Sequence, residues 1–314
     1  MTESEKNALA NFSGLVIAHS SFKRAYDTIL EVIEFNKINQ APEPQSVLVL
    51  AESGEGKSTL FTHLTNTLPK RYEVKEGLDI VSKIPFFNSS IPTNATPSTM
   101  AQELFASMGV GDRNKHAAEQ RIKVALKKAG TQAIFYDELN NIAGSKTPHK
   151  IGLARGYIRD LISSSGVMIV GFGLPECEEI FLAEAQVRKR FPWVERMTPF
   201  EFDLDPKSEF CIVVKTLEQA IAQSRHLYVQ IEPRMNEGFL TSLYATTGGS
   251  INAIKKLYEQ ALKNAFDGDH ILNTEKFSIA ADRMRFPTSI SRNGFREDRK
   301  ICLTMIADRC YARR

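Results

Sequence analysis

The sequence predicts an α/β protein: a parallel, doubly wound sheet followed by a small, C-terminal helical lid. Three observations carry that prediction. Residues 47–61, VLVLAESGEGKSTLF, run from an apolar stretch through a glycine-punctuated turn into a helical pattern. Strand-like and helix-like stretches then alternate as far as residue 204, the pattern of parallel strands joined by crossover helices. Beyond Asp205 strand signals thin out and helical patterns take over, at 206–222, 233–245, 250–265 and 274–284.

In chain order, Ser20 and Ser21 stand as N-caps to a helix over 17–37, where Phe22, Tyr26, Ile29, Ile33 and Phe35 lie near helical spacing. NQAPEPQ (39–45), with two prolines and no apolar periodicity, reads as a linker into the first strand. A second strand is expected over 79–88, a polar loop over 89–98, helices over 99–107 and 116–129, and a third strand over 131–136 that ends in Asp137-Glu138. A helix over 153–163, a fourth strand over 167–172 and a fifth over 198–204 complete the sheet. The expected divisions are an N-terminal helix and linker (1–45), a nucleotide-binding α/β domain (46–205), the lid (206–286) and a basic tail (287–314).

The first turn fits G-x-x-x-x-G-K-[ST] at every position except the first, where Ala51 replaces glycine. Gly54 and Gly56 let the backbone fold back so that successive N–H groups form an anion cradle at a helix N-terminus. Ser53, Gly54, Glu55, Gly56, Lys57, Ser58 and Thr59 then bind nucleotide. Lys57 reaches the β- and γ-phosphates of ATP, and the Ser58 hydroxyl ligates Mg²⁺. A Gly-Lys-Ser triplet alone arises by chance; its place between a strand and a helix makes it a site. The strand ending in Asp137-Glu138 supplies the other half, on what reads as a neighbouring strand. Asp137 holds Mg²⁺ and Glu138 polarises the attacking water, where an isolated acidic pair would be a mere turn.

The composition, 42% hydrophobic and 25% charged over 314 residues, is that of an ordinary globular protein. No apolar run approaches the roughly 20 residues of a membrane span, and the N-terminus lacks the pattern of a signal peptide, so the expectation is a cytoplasmic protein. Cys177, Cys211, Cys302 and Cys310 share no metal-ligand spacing and read as free thiols. The net charge of +3 is uneven. From Arg283 to the C-terminus, nine basic residues face three acidic ones. Pro, Gly and Ser in 287–296 suggest a flexible arm for nucleic acid or a partner surface, and the apolar residues Ile301, Leu303, Met305 and Ile306 favour docking a partner protein with DNA contact secondary; a solvated helix is the plainer alternative.

The phosphate loop, the Asp-Glu strand, Gly-Leu-Pro-Glu (173–176), Arg-Lys-Arg-Phe (188–191) and Thr-Gly-Gly before a helix (247–257) occur in the same order in AAA+ ATPases of the TniB/TnsC type. These are ATP-dependent regulators of Tn7-like transposons, including the CRISPR-associated ones, and the chain resembles them over residues 17–284. The resemblance implies a homo-oligomer, as a ring or helical filament on duplex DNA, with a transposase and a TniQ-like targeting protein as partners. It also implies that Arg190 is a finger inserted toward a neighbour's γ-phosphate, with Arg188 as fallback, against the plainer reading of a solvated basic turn. DNA contacts fall on Thr93, Asn94 and Thr96 and on Arg113, Asn114 and Lys115, suited to sequence-independent backbone binding. Two departures stand out. Phe172, Gly173 and Leu174 occupy the end of the fourth strand, where such proteins carry a polar residue, and Asn252 and Ala253 stand where a lid arginine is usual, leaving Lys255 or Lys256 as substitutes. Slow turnover is expected. Other AAA+ switches, Orc-like or ExeA-like, and a nucleotide-binding scaffold with little hydrolysis are the alternatives.

Overall fold

A computed structural model describes residues 1–40, 42–109, 117–144, 147–223, 230–231 and 236–312. The chain forms two units, Ser21–Met197 and the combination of Met1–Ser20 with Thr198–Arg314.

The first unit contains α2 (Ser20–Asn39), β1 (Val47–Ala51), α3 (Lys57–Thr67), β2 (Tyr72–Glu76), β3 (Asp79–Lys83), β4 (Phe86–Ser90), α4 (Pro97–Ser107), α5 (Ala118–Ala129), β5 (Ala133–Asp137), α6 (Asn140–Ala143), α7 (Pro148–Ser165), β6 (Met168–Gly173), α8 (Cys177–Leu182), α9 (Ala185–Arg188) and β7 (Trp193–Met197). Five parallel strands lie in the order β4-β5-β6-β1-β7. Every residue of β1 is buried, as expected of a parallel strand covered on both faces. Val47, Val49, Phe135 and Phe172 pack with Ile29 of α2 and with Leu60 and Leu64 of α3. Leu48, Leu50, Ile134 and Ile169 point the other way, onto Leu104 of α4, Leu126 of α5 and Leu161 of α7.

Three expectations change. The second strand is two elements, because Ile84-Pro85 interrupts it: β3 pairs antiparallel with β2 in a separate hairpin, turning at Gly77 with φ 65°, and only β4 joins the sheet. The fifth strand is β7, ahead of the expected 198–204, which carries no strand. And β5 is not the neighbour of β1, since β6 lies between them.

The second unit contains α1 (Glu3–Ser13), α10 (Glu209–Gln223), β8 (Gln230–Ile231), α11 (Glu237–Thr247), α12 (Ile251–Phe266), β9 (Ile271–Leu272), α13 (Thr274–Arg283) and α14 (Arg299–Ala312). A Thr2/Glu5 capping box starts α1, which lays Ala8 and Phe12 into the core around α12. Lys255 donates to the Ser13 and Leu15 carbonyls at 3.0 and 2.6 Å, closing the C-terminal end of α1, and its burial lowers its pKa. That employment is structural, in contrast to the phosphate contact considered for it.

The C-terminal segment is likewise part of the unit rather than a free arm. The Ile290 and Ser291 N–H groups both donate to the Ala245 carbonyl, at 2.8 and 2.9 Å. Asn293 and Arg296 both donate to Asp282, holding its carboxyl down to about 2, with the Arg296 contribution the larger. Helix α14 then buries Cys302 and Ile306 against the core that includes α11.

Candidate nucleotide-binding site

Because the five strands are parallel, their C-terminal ends share one edge, where ligands bind in open α/β sheets. At that edge β1 gives way to the turn at residues 52–56 and α3. Gly54 and Gly56 hold φ 95° and 87°, left-handed values that glycine adopts without steric cost, and Gly56 is the N-cap of α3 with no side-chain bond of its own. A helix start whose cap offers no side-chain acceptor leaves its N–H groups for an anion. Lys57 donates to the Ala51 carbonyl at 3.4 Å, which keeps the ammonium beside the turn. Ser53, Ser58 and Thr59 are exposed. The Glu55 side chain is buried, so its contribution to an anion would come from the main chain.

Two strands away, the last residue of β5 is Asp137. Its carboxyl is raised above the ordinary range, chiefly by burial; the hydrogen bond from the Glu138 N–H opposes this, the Glu138 charge adds to it, and Lys57 draws it back. Lys57 and Asp137 therefore lie within electrostatic reach, as the sequence pattern requires. Among the described residues no cluster of three or more His, Cys, Asp or Glu could hold a metal. A hydroxyl at Ser58 and a half-buried, partly uncompensated carboxylate at Asp137 instead fit Mg²⁺, which takes one or two protein oxygens and completes its shell with phosphate and water.

Glu138 has φ 61°, a left-handed conformation that costs a non-glycine residue ~1–3 kcal/mol and persists only where the surroundings enforce it. Three bonds do so. The Glu138 N–H donates to Asp137 Oδ1 at 2.8 Å, Leu139 N–H donates to the Phe172 carbonyl at 3.0 Å, and Asn140 Nδ2 donates to Glu138 Oε2 at 2.8 Å. The end of β6 explains the missing polar residue. A Cβ at Gly171 would sit 2.5 Å from Leu139 Cδ1, and one at Gly173 would sit 2.8 Å from Cys177 Sγ and 3.1 Å from Leu139 Cβ. Phe172 points to the opposite face, edge-on to Phe61 with ring centroids 5.4 Å apart. Leu139 thus fills the space that a β6 side chain would take. Asn140 and Gly171 escaped the sequence reading, although D-E-L-N and G-F-G were visible in it.

The remaining expected residues divide. Thr93 and Asn94 are exposed, but the Thr96 hydroxyl is committed to the capping box of α4 with Thr99. Arg113, Asn114 and Lys115 lie outside the described residues. Arg190 does not project as a finger. Its guanidinium donates to Ser163 Oγ at 2.7 Å, the Gln186 carbonyl at 2.8 Å and Glu43 Oε1 at 2.5 Å, with 15% of the side chain exposed. Its own carbonyl accepts from the Ser46 N–H, so Arg190 clamps the entry to β1. The fallback, Arg188, donates twice to the Leu182 carbonyl. Ser163 and Glu43, far away in sequence, gave no sign of this demand.

Residues 16–199 match the model of the family described as bacterial TniB protein. No curated protein matches the chain. Among solved structures, the Aeropyrum pernix ORC1 protein in complex with DNA aligns at TM-score 0.53 and 17% identity, over 84% of this chain and 65% of that one. The A. pernix ORC2 protein, in ADPNP-ADP complexes, aligns at 0.55 and 12% identity, over 86% and 69%. The Drosophila ORC bound to DNA aligns at 0.53 and 11% identity, over 90% and 66%. The chain thus spans about two thirds of the length of these structures, and the likeness is one of fold: AAA+, with a P-loop at the first strand of a parallel sheet. Among the described residues, no helix is long and apolar enough to cross a membrane. The chain belongs to the TniB family of AAA+ ATPases.

Proposed function

We propose that this chain hydrolyses ATP with Mg²⁺ and acts, in the cytoplasm of a bacterium, as a regulator that oligomerises on duplex DNA and links target selection to transposase recruitment. One observation carries the hydrolytic part: the Gly54–Ser58 turn and the Asp137-Glu138 pair meet at one edge of the sheet, with Lys57 electrostatically coupled to Asp137. The turn and Lys57 would hold the phosphates, Ser58 and Asp137 the Mg²⁺, and Glu138 the attacking water. Support for DNA comes from the DNA complexes among the fold relatives and from the exposed Thr93 and Asn94; Arg113, Asn114 and Lys115 enter the proposal through the family resemblance alone. The transposase and the TniQ-like partner rest on the family membership. A second reading, a nucleotide-binding scaffold with little turnover, draws on the absence of a polar side chain along Gly171–Gly173. ATPase assays with and without duplex DNA, paired with electron microscopy, separate them. DNA-stimulated phosphate release with rings or filaments supports the enzyme; ATP-dependent assembly without release supports the scaffold.

A further inference from the structure

The side chain bonded to the Glu138 carboxylate comes from the single turn of α6, which follows β5. Asn140 Nδ2 donates to Glu138 Oε2 at 2.8 Å, while the backbone beneath that carboxylate is fixed by the Glu138 N–H on Asp137 and the Leu139 N–H on Phe172. On the facing strand, Gly171 and Gly173 offer no side chain, and Leu139 occupies the room they leave. A glutamate that takes a proton in a transition state needs one oxygen held and the other aimed, because an unrestrained carboxylate spends most of its time in unproductive rotamers.

We infer that Asn140 is the positioning residue for Glu138: its amide fixes Oε2 and leaves Oε1 to accept the proton of the attacking water. This rests on the ATPase reading above. In the step served, a water O–H proton passes to Oε1, the water oxygen bonds to the γ-phosphorus, and the bond from that phosphorus to the bridging oxygen breaks, with ADP leaving on the electron pair. Asn140 touches no reacting atom. It is distinct from Asn141, which donates to the Ile91 carbonyl at 2.7 Å and ties the same turn to the segment after β4.

The test compares steady-state ATPase kinetics and ATP affinity for the full chain with duplex DNA, in wild type and in Asn140→Ala, Asn140→Asp, Asn140→Gln and Asn141→Ala. The inference expects kcat of Asn140→Ala and of the near-isosteric Asn140→Asp to fall about 10- to 100-fold, with KM and ATP affinity within about twofold. Asn140→Gln, which keeps an amide donor, should recover part of the loss, and Asn141→Ala should stay within about threefold of wild type. In a Glu138→Gln background, adding Asn140→Ala should slow turnover no further, since residues acting as a unit are non-additive. Unchanged kcat in Asn140→Ala, a loss confined to KM, or an equal loss added on top of Glu138→Gln overturns the inference while leaving the ATPase reading intact. A wild type that binds ATP without hydrolysing it overturns the ATPase reading and this inference with it.

Discussion

Replacing Ile306 by alanine separates a docked C-terminal helix from a free arm. Ile306 is 2% exposed on α14, within the core shared with α11, whereas Ile301 on the same helix is 47% exposed. Truncating a buried isoleucine to alanine costs ~2–5 kcal/mol, through lost transfer energy and the cavity left behind. Exposed substitutions usually stay within about 0.5 kcal/mol. For a unit of this size, each kcal/mol moves the melting temperature by roughly 3–5 °C, so Ile306→Ala should melt on the order of 10 °C or more below wild type and Ile301→Ala within about 2 °C of it. Circular dichroism melts of the two variants give the comparison. Limited trypsin digestion gives an independent reading, since an arm bearing Arg292, Arg296, Arg299 and Lys300 would be clipped at once, whereas the docked segment should survive as long as the rest of its unit. Equal melting temperatures for the two variants, with early loss of 287–314 to trypsin, would refute the packing described above.

Other perturbations probe the remaining inferences. Gly173→Ala should destabilise by ~1–3 kcal/mol through overpacking against Cys177 and Leu139, and a second change, Cys177→Ala, should restore part of that in denaturant titrations. Arg190→Ala should lower the melting temperature of the isolated subunit, because it leaves Glu43 and Ser163 without their donor; an unchanged melt with hydrolysis lost only in the assembled protein would return Arg190 to the role of a finger. His19 is buried edge-on to Phe200, and burial holds its pKa below the usual value, against a smaller upward pull from Glu209. The unfolded chain therefore binds a proton that the folded one resists, so stability should decline as pH falls below the ordinary histidine value of about 6.5. His19→Gln should flatten that slope in melts between pH 8 and pH 5.5.

The phosphate loop was legible because its chemistry is local: the left-handed angles at Gly54 and Gly56 are what glycine at those positions announces. Sheet order was not, since nothing in the order of strands along the chain says that β6 inserts between β1 and β5. The misplaced fifth strand has a specific cause. Phe200, Phe202 and Leu204 alternate like a strand, but their side chains serve the other unit, where Phe202 packs on Tyr244 with ring centroids 5.0 Å apart and Tyr244 donates its hydroxyl to the Phe200 carbonyl at 2.9 Å. The edge strand β7, WVERM, buries only Met197 and so lacks the apolar run that marked β1. The basic tail misled through its charge. Two of its arginines are spent internally, Arg296 on Asp282 and Arg309 on the Thr288 and Ser289 carbonyls, pairings that depend on tertiary contacts invisible in composition.

The central claim is that Lys57, Asp137 and Glu138 form one hydrolytic nucleotide site. Its most direct measurement is ATP binding and phosphate release by Glu138→Gln beside wild type, with duplex DNA present and Lys57→Ala as the control without phosphate compensation. The account predicts that Glu138→Gln binds ATP within about threefold of wild type while its release rate falls at least about 100-fold, and that Lys57→Ala binds no ATP. Phosphate release by Glu138→Gln at the wild-type rate would contradict it.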